Sequence, residues 1–192
     1  MEQENKVESK DSQQAQVTRD LSNVGYPVAP FKFVIMSILT FNLYSMYWAY
    51  KNFVVLDTTP VKRPKILAVC SAIFLTLTFF WLMKYIEQAS ERHGHPIKMP
   101  KEFLAVLFAV MHVVRVAIGR SNVGGMLEEI LLWGTTAIFL VIMMVPLRAV
   151  QKLAETSDPP TPIDSNFTVT NYVFMVLGGI MTLLGIAAAF LG

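Results

Sequence analysis

The chain has 192 residues, of which 54% are hydrophobic and only 16% charged, and its mean hydropathy is +0.48. A soluble domain of this size carries nearer a quarter charged residues, so composition points to lipid as the surrounding medium. The net charge of +2 excludes the concentrated basic face of a nucleic-acid binder, and a single cysteine, Cys70, excludes a disulfide framework or a cysteine-based metal site within one chain.

Residues 1–30 form a polar tail that differs in kind from the rest of the chain. From Met1 to Asp20 it is rich in Glu, Gln, Lys and Ser with little to bury, which predicts disorder. Acidic Glu2, Glu4 and Glu8 precede no apolar core of signal-peptide length. Tyr26-Pro27-Val28-Ala29-Pro30 then leads in, its prolines favouring an extended approach and a helix start just beyond.

Residues 31–192 read as a helical membrane domain. Five hydrophobic stretches run about 31–56, 66–86, 103–118, 127–147 and 172–191, separated by polar or proline-bearing joints. At about 1.5 Å per residue, the second, fourth and fifth reach the ~30 Å of hydrocarbon that a crossing requires. The third is short, but Lys101 and Arg120 at its flanks are able to snorkel to the two interfaces. The first is irregular, because Asn42 and a dense aromatic cluster interrupt it, and it reads either as a span or as a re-entrant segment. The expected fold is therefore all-α: a polytopic transmembrane helical bundle of four or five spans behind a disordered N-terminal tail.

Within the first stretch, Tyr44, Tyr47, Trp48, Tyr50, Lys51 and Asn52 crowd together. Tyr and Trp favour the headgroup region, so the cluster is read as an aromatic anchor, or as a docking element for a lipid headgroup or partner helix. The run Thr40-Phe41-Asn42-Leu43-Tyr44-Ser45-Met46-Tyr47-Trp48-Ala49-Tyr50-Lys51-Asn52-Phe53 resembles the T-x-G-x-Y-x-x-Y-W-x-Y-K-N-W signature of a group of small bacterial integral membrane proteins of unknown function. Asn42 stands where that group usually has glycine, and Phe53 where it has tryptophan. Asparagine tolerates left-handed backbone better than most residues, so a turn at Asn42 is retained. The resemblance implies a multi-pass protein of the bacterial cytoplasmic membrane and supplies no activity.

Two further features stand out. His112 and Arg115, three apart on one helical face, and Glu128 and Glu129 at the start of the next stretch, form a candidate intramembrane polar cluster across a hairpin. Either these charges complement helix ends, or they line an ion or proton path. Gly178, Thr182, Gly185 and Ala189, spaced four, three and four apart, place small side chains on one stripe of the last helix and predict close packing there.

No phosphate loop, nucleophile elbow or paired-histidine zinc helix occurs in the sequence. His93-Gly94-His95 sits in a polar joint near Glu87 and Glu91 and reads as a solvated turn, and Asn166-Phe167-Thr168 reads as a chance glycosylation pattern. No catalytic residue, metal or cofactor is assigned. The expected partners are the lipid bilayer, other membrane proteins or a second copy of the chain, with no nucleic acid. Basic residues divide ten against six whether the first stretch spans or re-enters, placing the N-terminus inside in both cases and leaving the side of the C-terminus open. The expected function is an interaction or accessory component of the cytoplasmic membrane, with a small oligomeric transporter or channel as the alternative.

Overall fold

The computed structural model describes residues 24–56, 65–121 and 125–191, so of the tail 1–30 expected to be disordered, residues 1–23 fall outside the described part. Among the described residues, seven helices occur: α1 (Pro30–Leu39), α2 (Leu43–Leu56), α3 (Lys65–Ile73), α4 (Leu75–Arg92), α5 (Lys101–Arg120), α6 (Gly125–Thr156) and α7 (Val169–Leu191). The fold class is all-α, as the hydropathy pattern predicts. Among the described residues two helices, α5 and α6, are long and apolar enough to cross a membrane, or up to three crossings result if the bent pair α3–α4 counts as one.

The first hydrophobic stretch is a hairpin. Thr40 ends α1, Phe41 and Asn42 take positive φ of 49° and 72°, and α2 starts at Leu43. Asn42 thus occupies the left-handed conformation that its side chain tolerates, and Phe41 shares it. The contacts step down antiparallel from this tip. Ser37 meets Ser45 (Oγ to Oγ 3.0 Å), Phe33 packs edge-on against Trp48 (centroids 5.6 Å), and Tyr26 N–H donates to Asn52 Oδ1 (3.0 Å). Both ends of the stretch therefore lie at one end of the molecule, here termed the base. At about 1.5 Å per residue, the ten residues of α1 rise about 15 Å, half of a ~30 Å hydrocarbon core.

A second hairpin comes next. The chain bends by 115° at Phe74 between α3 and α4. Ile73 and Leu75 lie beside Phe41 and Asn42 at the first tip, whereas Tyr85 packs edge-on against Phe53 near the base (6.1 Å). The Thr78 hydroxyl donates to the Ser71 carbonyl, closing the bend with a side chain where the backbone ladder is interrupted. No Gly or Pro marks it.

From the base, α5 rises antiparallel to α4. Glu87 accepts from Met99 N–H (2.9 Å) and from Lys101 Nζ, and Phe79 stacks on Phe108 (4.3 Å). Helix α6 returns, bringing Gln151 back to the Val28 carbonyl at the base (2.7 Å), and α7 rises beside α1. The buried core lies between the base and the two tips, around Phe33, Trp48, Phe79, Met83, Phe108, Met143 and Leu147. Among the described residues, α5, α6 and α7 are the helices that continue beyond the tips. There the chain covers little of them: of the 20 residues of α5, only Leu104 and Phe108 are buried, both on the base side.

Residues 24–29 close the base. Val24, Pro27 and Val28 are buried and Ala29 N–H donates to the Asp164 carbonyl (3.0 Å), so this end of the polar tail is held in place by residues far along the chain.

Gly178 is buried where α7 meets the first tip. A Cβ added there would fall 1.4 Å from the Leu39 carbonyl oxygen, so the two backbones touch and only glycine fits. The side chains of Thr182, Gly185 and Ala189 lie outside the described residues. Gly178→Ala is expected to lower stability by about 1 to 3 kcal/mol, the typical cost of overpacking, while Gly179→Ala, with open space around it, changes it little. Equal thermal unfolding of the two variants in detergent would remove Gly178 from the packing contact.

Candidate functional site: a cavity under the aromatic motif

The aromatic run occupies two faces of α2. Tyr44, Trp48 and Asn52, four apart, point inward: Trp48 and Asn52 are fully buried and Tyr44 nearly so. Trp48 Nε1 donates to the Tyr26 carbonyl (3.0 Å), Asn52 Nδ2 donates to the Trp48 carbonyl (2.9 Å), and Asn52 Oδ1 takes the Tyr26 amide. The motif thereby supplies the backbone bonding that the extended Tyr26 segment lacks. Gly25 (φ +93°) is part of the same fit, since a Cβ there would approach Asn52 Oδ1 to 2.8 Å. Tyr47, Tyr50 and Lys51 remain more accessible. The Lys51 ammonium lies 5.5 Å from the Tyr47 ring centroid and 5.9 Å from that of Tyr26.

Beneath this run lies a cavity of about 490 Å³ between α1, α2 and the start of α7. Met36, Leu43 and Phe174 make its apolar walls, and Tyr26, Lys32, Tyr44 and Asp164 its polar end. Lys32 is 3% exposed at its side chain and is held by Asp164 Oδ1 (2.7 Å) and by the Asn166 carbonyl (2.6 Å). The Tyr26 hydroxyl donates to Asp164 Oδ2 (2.5 Å). The Tyr44 hydroxyl, enclosed at the same end, makes no hydrogen bond of ordinary geometry. One buried cation, one carboxylate and two phenols thus terminate an apolar slot, a combination suited to an uncharged amphiphile.

The Asp164 carboxyl is held below its ordinary value of 3.8. Burial on its own pushes it up, and the bonds from Lys32 and Tyr26 together with the Lys32 charge more than reverse this. Burial, then the bond to Asp164, raise the Tyr26 phenol and keep it a donor. A carboxyl with a lowered folded-state value stabilises the fold above its unfolded value and loses that contribution as pH falls further. Thermal stability of the parent is therefore expected to drop below about pH 4, and Asp164→Asn should show a shallower drop over the same range. Superimposable pH profiles would contradict the assignment.

The candidate polar cluster is divided. Arg115 Nη1 donates to Thr136 Oγ1 across the α5–α6 pair (3.1 Å), and His112 and Arg115 share one cavity. Glu128 and Glu129 do not line that cavity, and among the described residues neither forms an ion pair with Arg115. The expected pairing across the hairpin is replaced by a deeper bond, because a helical side chain leans toward its own N-terminus and carries the guanidinium away from the α5–α6 turn. Near His93 and His95, no group of three His, Cys, Asp or Glu side chains gathers among the described residues.

The residues that sequence reasoning missed are Lys32 and Asp164, which lie 132 positions apart, and the bonding role of Tyr26. A lone lysine two residues inside an apolar helix start was the available signal for Lys32. Comparison with family signatures, with curated proteins and with solved structures finds no match for this chain.

Proposed function

We propose that this chain is a multi-pass protein of the bacterial cytoplasmic membrane that works as an interaction or accessory component. Of the four or five spans expected, α5, α6 and α7 cross fully, whereas α1–α2 and α3–α4 enter and leave on the base side. The observation that carries the reading is the uncovered far half of α5 and α6, where Val110, Val113, Ile130, Leu131 and Trp133 are exposed on the chain's own surface. Exposed apolar area of this kind is covered by lipid or by a partner helix.

The base carries Lys51, Arg92, Lys98, Lys101, Arg148 and Lys152, and the far end of α5 carries Arg120, so the positive-inside rule favours a cytoplasmic base and an external C-terminus. The likeness to the group with the T-x-G-x-Y signature is supported by the left-handed Asn42, since that backbone is what a glycine at this position would serve.

A photo-crosslinking residue at Val113, 66% exposed, is expected to give a discrete protein adduct in native membranes, whereas one at buried Leu104 gives none. Adducts to lipid alone at Val113 would overturn the interaction role. The second reading, a small oligomeric transporter, is favoured by the two hairpin tips meeting beside Arg115, and solute flux through proteoliposomes holding the purified chain would select it.

A further inference from the structure

Where the two hairpin tips meet α5 and α6, a second cavity of about 210 Å³ opens. Its polar lining comes from Asn42 and Ser45 at the first tip, Thr76 at the second, His112 and Arg115 on α5, and Thr135 on α6. Among the described residues no carboxylate lines it, and His112 and Arg115 are its titratable groups.

Arg115 does not escape to the nearer membrane surface. Its bond to Thr136 fixes the guanidinium eleven residues into α6, about 16 Å along that helix from its start. Thr136 accepts one N–H, and a guanidinium carries five donors in a planar fork that matches an oxyanion. Leu75 and Thr76, at the start of α4, line the same cavity, and that helix start has no side-chain cap, although the Leu77 and Thr78 amides are taken by the Phe74 carbonyl. A cation without a carboxylate partner at this depth is costly unless an anion accompanies it.

We propose that Arg115, His112 and the start of α4 bind a small oxyanion of the phosphate class about halfway across the membrane. The anion comes either from solution or from a lipid headgroup drawn into the cavity. The site does not depend on whether the chain works as an accessory component or as a transporter, and its failure would leave that choice untouched.

The test is thermal unfolding of the purified full chain in an uncharged detergent. One arm titrates inorganic phosphate against chloride at constant ionic strength, and the other titrates a short-chain phosphatidylglycerol against the matching phosphatidylcholine. A saturable rise in Tm with inorganic phosphate assigns a soluble anion, and a rise with phosphatidylglycerol alone assigns a headgroup. Arg115→Gln should abolish the response, and Arg115→Lys, which keeps the charge and loses the fork, should weaken apparent affinity about tenfold. Arg120→Gln, at the exposed end of α5, should leave it intact. No saturable rise with either probe would overturn the proposal. So would an undiminished response in Arg115→Gln, or an equal loss in Arg120→Gln. Where Arg115→Gln does not fold, parent-like affinity in Arg115→Lys overturns it.

Discussion

Asp164→Asn is expected to destabilise the fold by about 3 to 5 kcal/mol, the range for removing one partner of a buried ion pair. The effect is asymmetric across the pair. The Lys32 side chain is 3% exposed and Asp164 is 30% exposed, so losing the carboxylate strands the more deeply buried charge. Lys32→Met leaves a carboxylate that still meets water and still accepts from Tyr26, and it should cost less. Combining Lys32→Met with Asp164→Asn removes both charges and should recover much of the loss, because a buried pair is worth little more than an apolar replacement. Chemical denaturation of the four proteins in detergent measures this as a double-mutant cycle. Additive losses would mean that the two side chains do not interact.

Trp48→Ala should cost a similar amount, about 3 to 5 kcal/mol, since truncating a fully buried aromatic leaves a cavity among Phe33, Tyr26 and Asn52. It also leaves the Tyr26 carbonyl without its donor. Trp48→Phe keeps most of the packing and loses only the Nε1 bond, for about 1 to 3 kcal/mol. Tyr47, four-tenths exposed on the other face of α2, provides the contrast: Tyr47→Phe should change stability by less than about 0.5 kcal/mol. If Trp48 served only as an outer anchor, its alanine variant would unfold like the parent in detergent.

These two sites mark where the amino-acid sequence speaks and where it does not. Helix α6 is visible as a long apolar run, α5 reads as a shorter one that gains its full 20 residues by including Lys101 and Arg120, and the Asn42 turn is expected from what asparagine tolerates. The break at Phe74 is invisible, because it falls inside an unbroken apolar run and is closed by a threonine hydroxyl rather than by glycine or proline. The aromatic run is equally ambiguous from composition. Trp48 and Asn52 suit a membrane interface, yet they satisfy the backbone of Tyr26, a choice decided by tertiary packing alone. Lys32 and Asp164 meet only because the joint after α6 folds back onto the start of α1, and no local spacing records such a contact.

The same folding back changes how charge relates to topology. Straight crossings divide the basic residues ten against six, whereas among the described residues the two hairpins gather Lys51, Arg92, Lys98, Lys101, Arg148 and Lys152 at the base. Single-cysteine labelling tests most directly the proposal that α1–α2 and α3–α4 are hairpins re-emerging on the side they enter from, with that side cytoplasmic. In a Cys70→Ser background, Lys65→Cys, Arg92→Cys and Asp158→Cys are each treated in intact cells with a membrane-impermeant maleimide, with Ser121→Cys as the opposite end of α5. The expected result is that the first three react only after permeabilisation while Ser121→Cys reacts at once. Reaction of Lys65→Cys from outside, with Arg92→Cys still protected, would mean that α3–α4 crosses the membrane and would contradict the account.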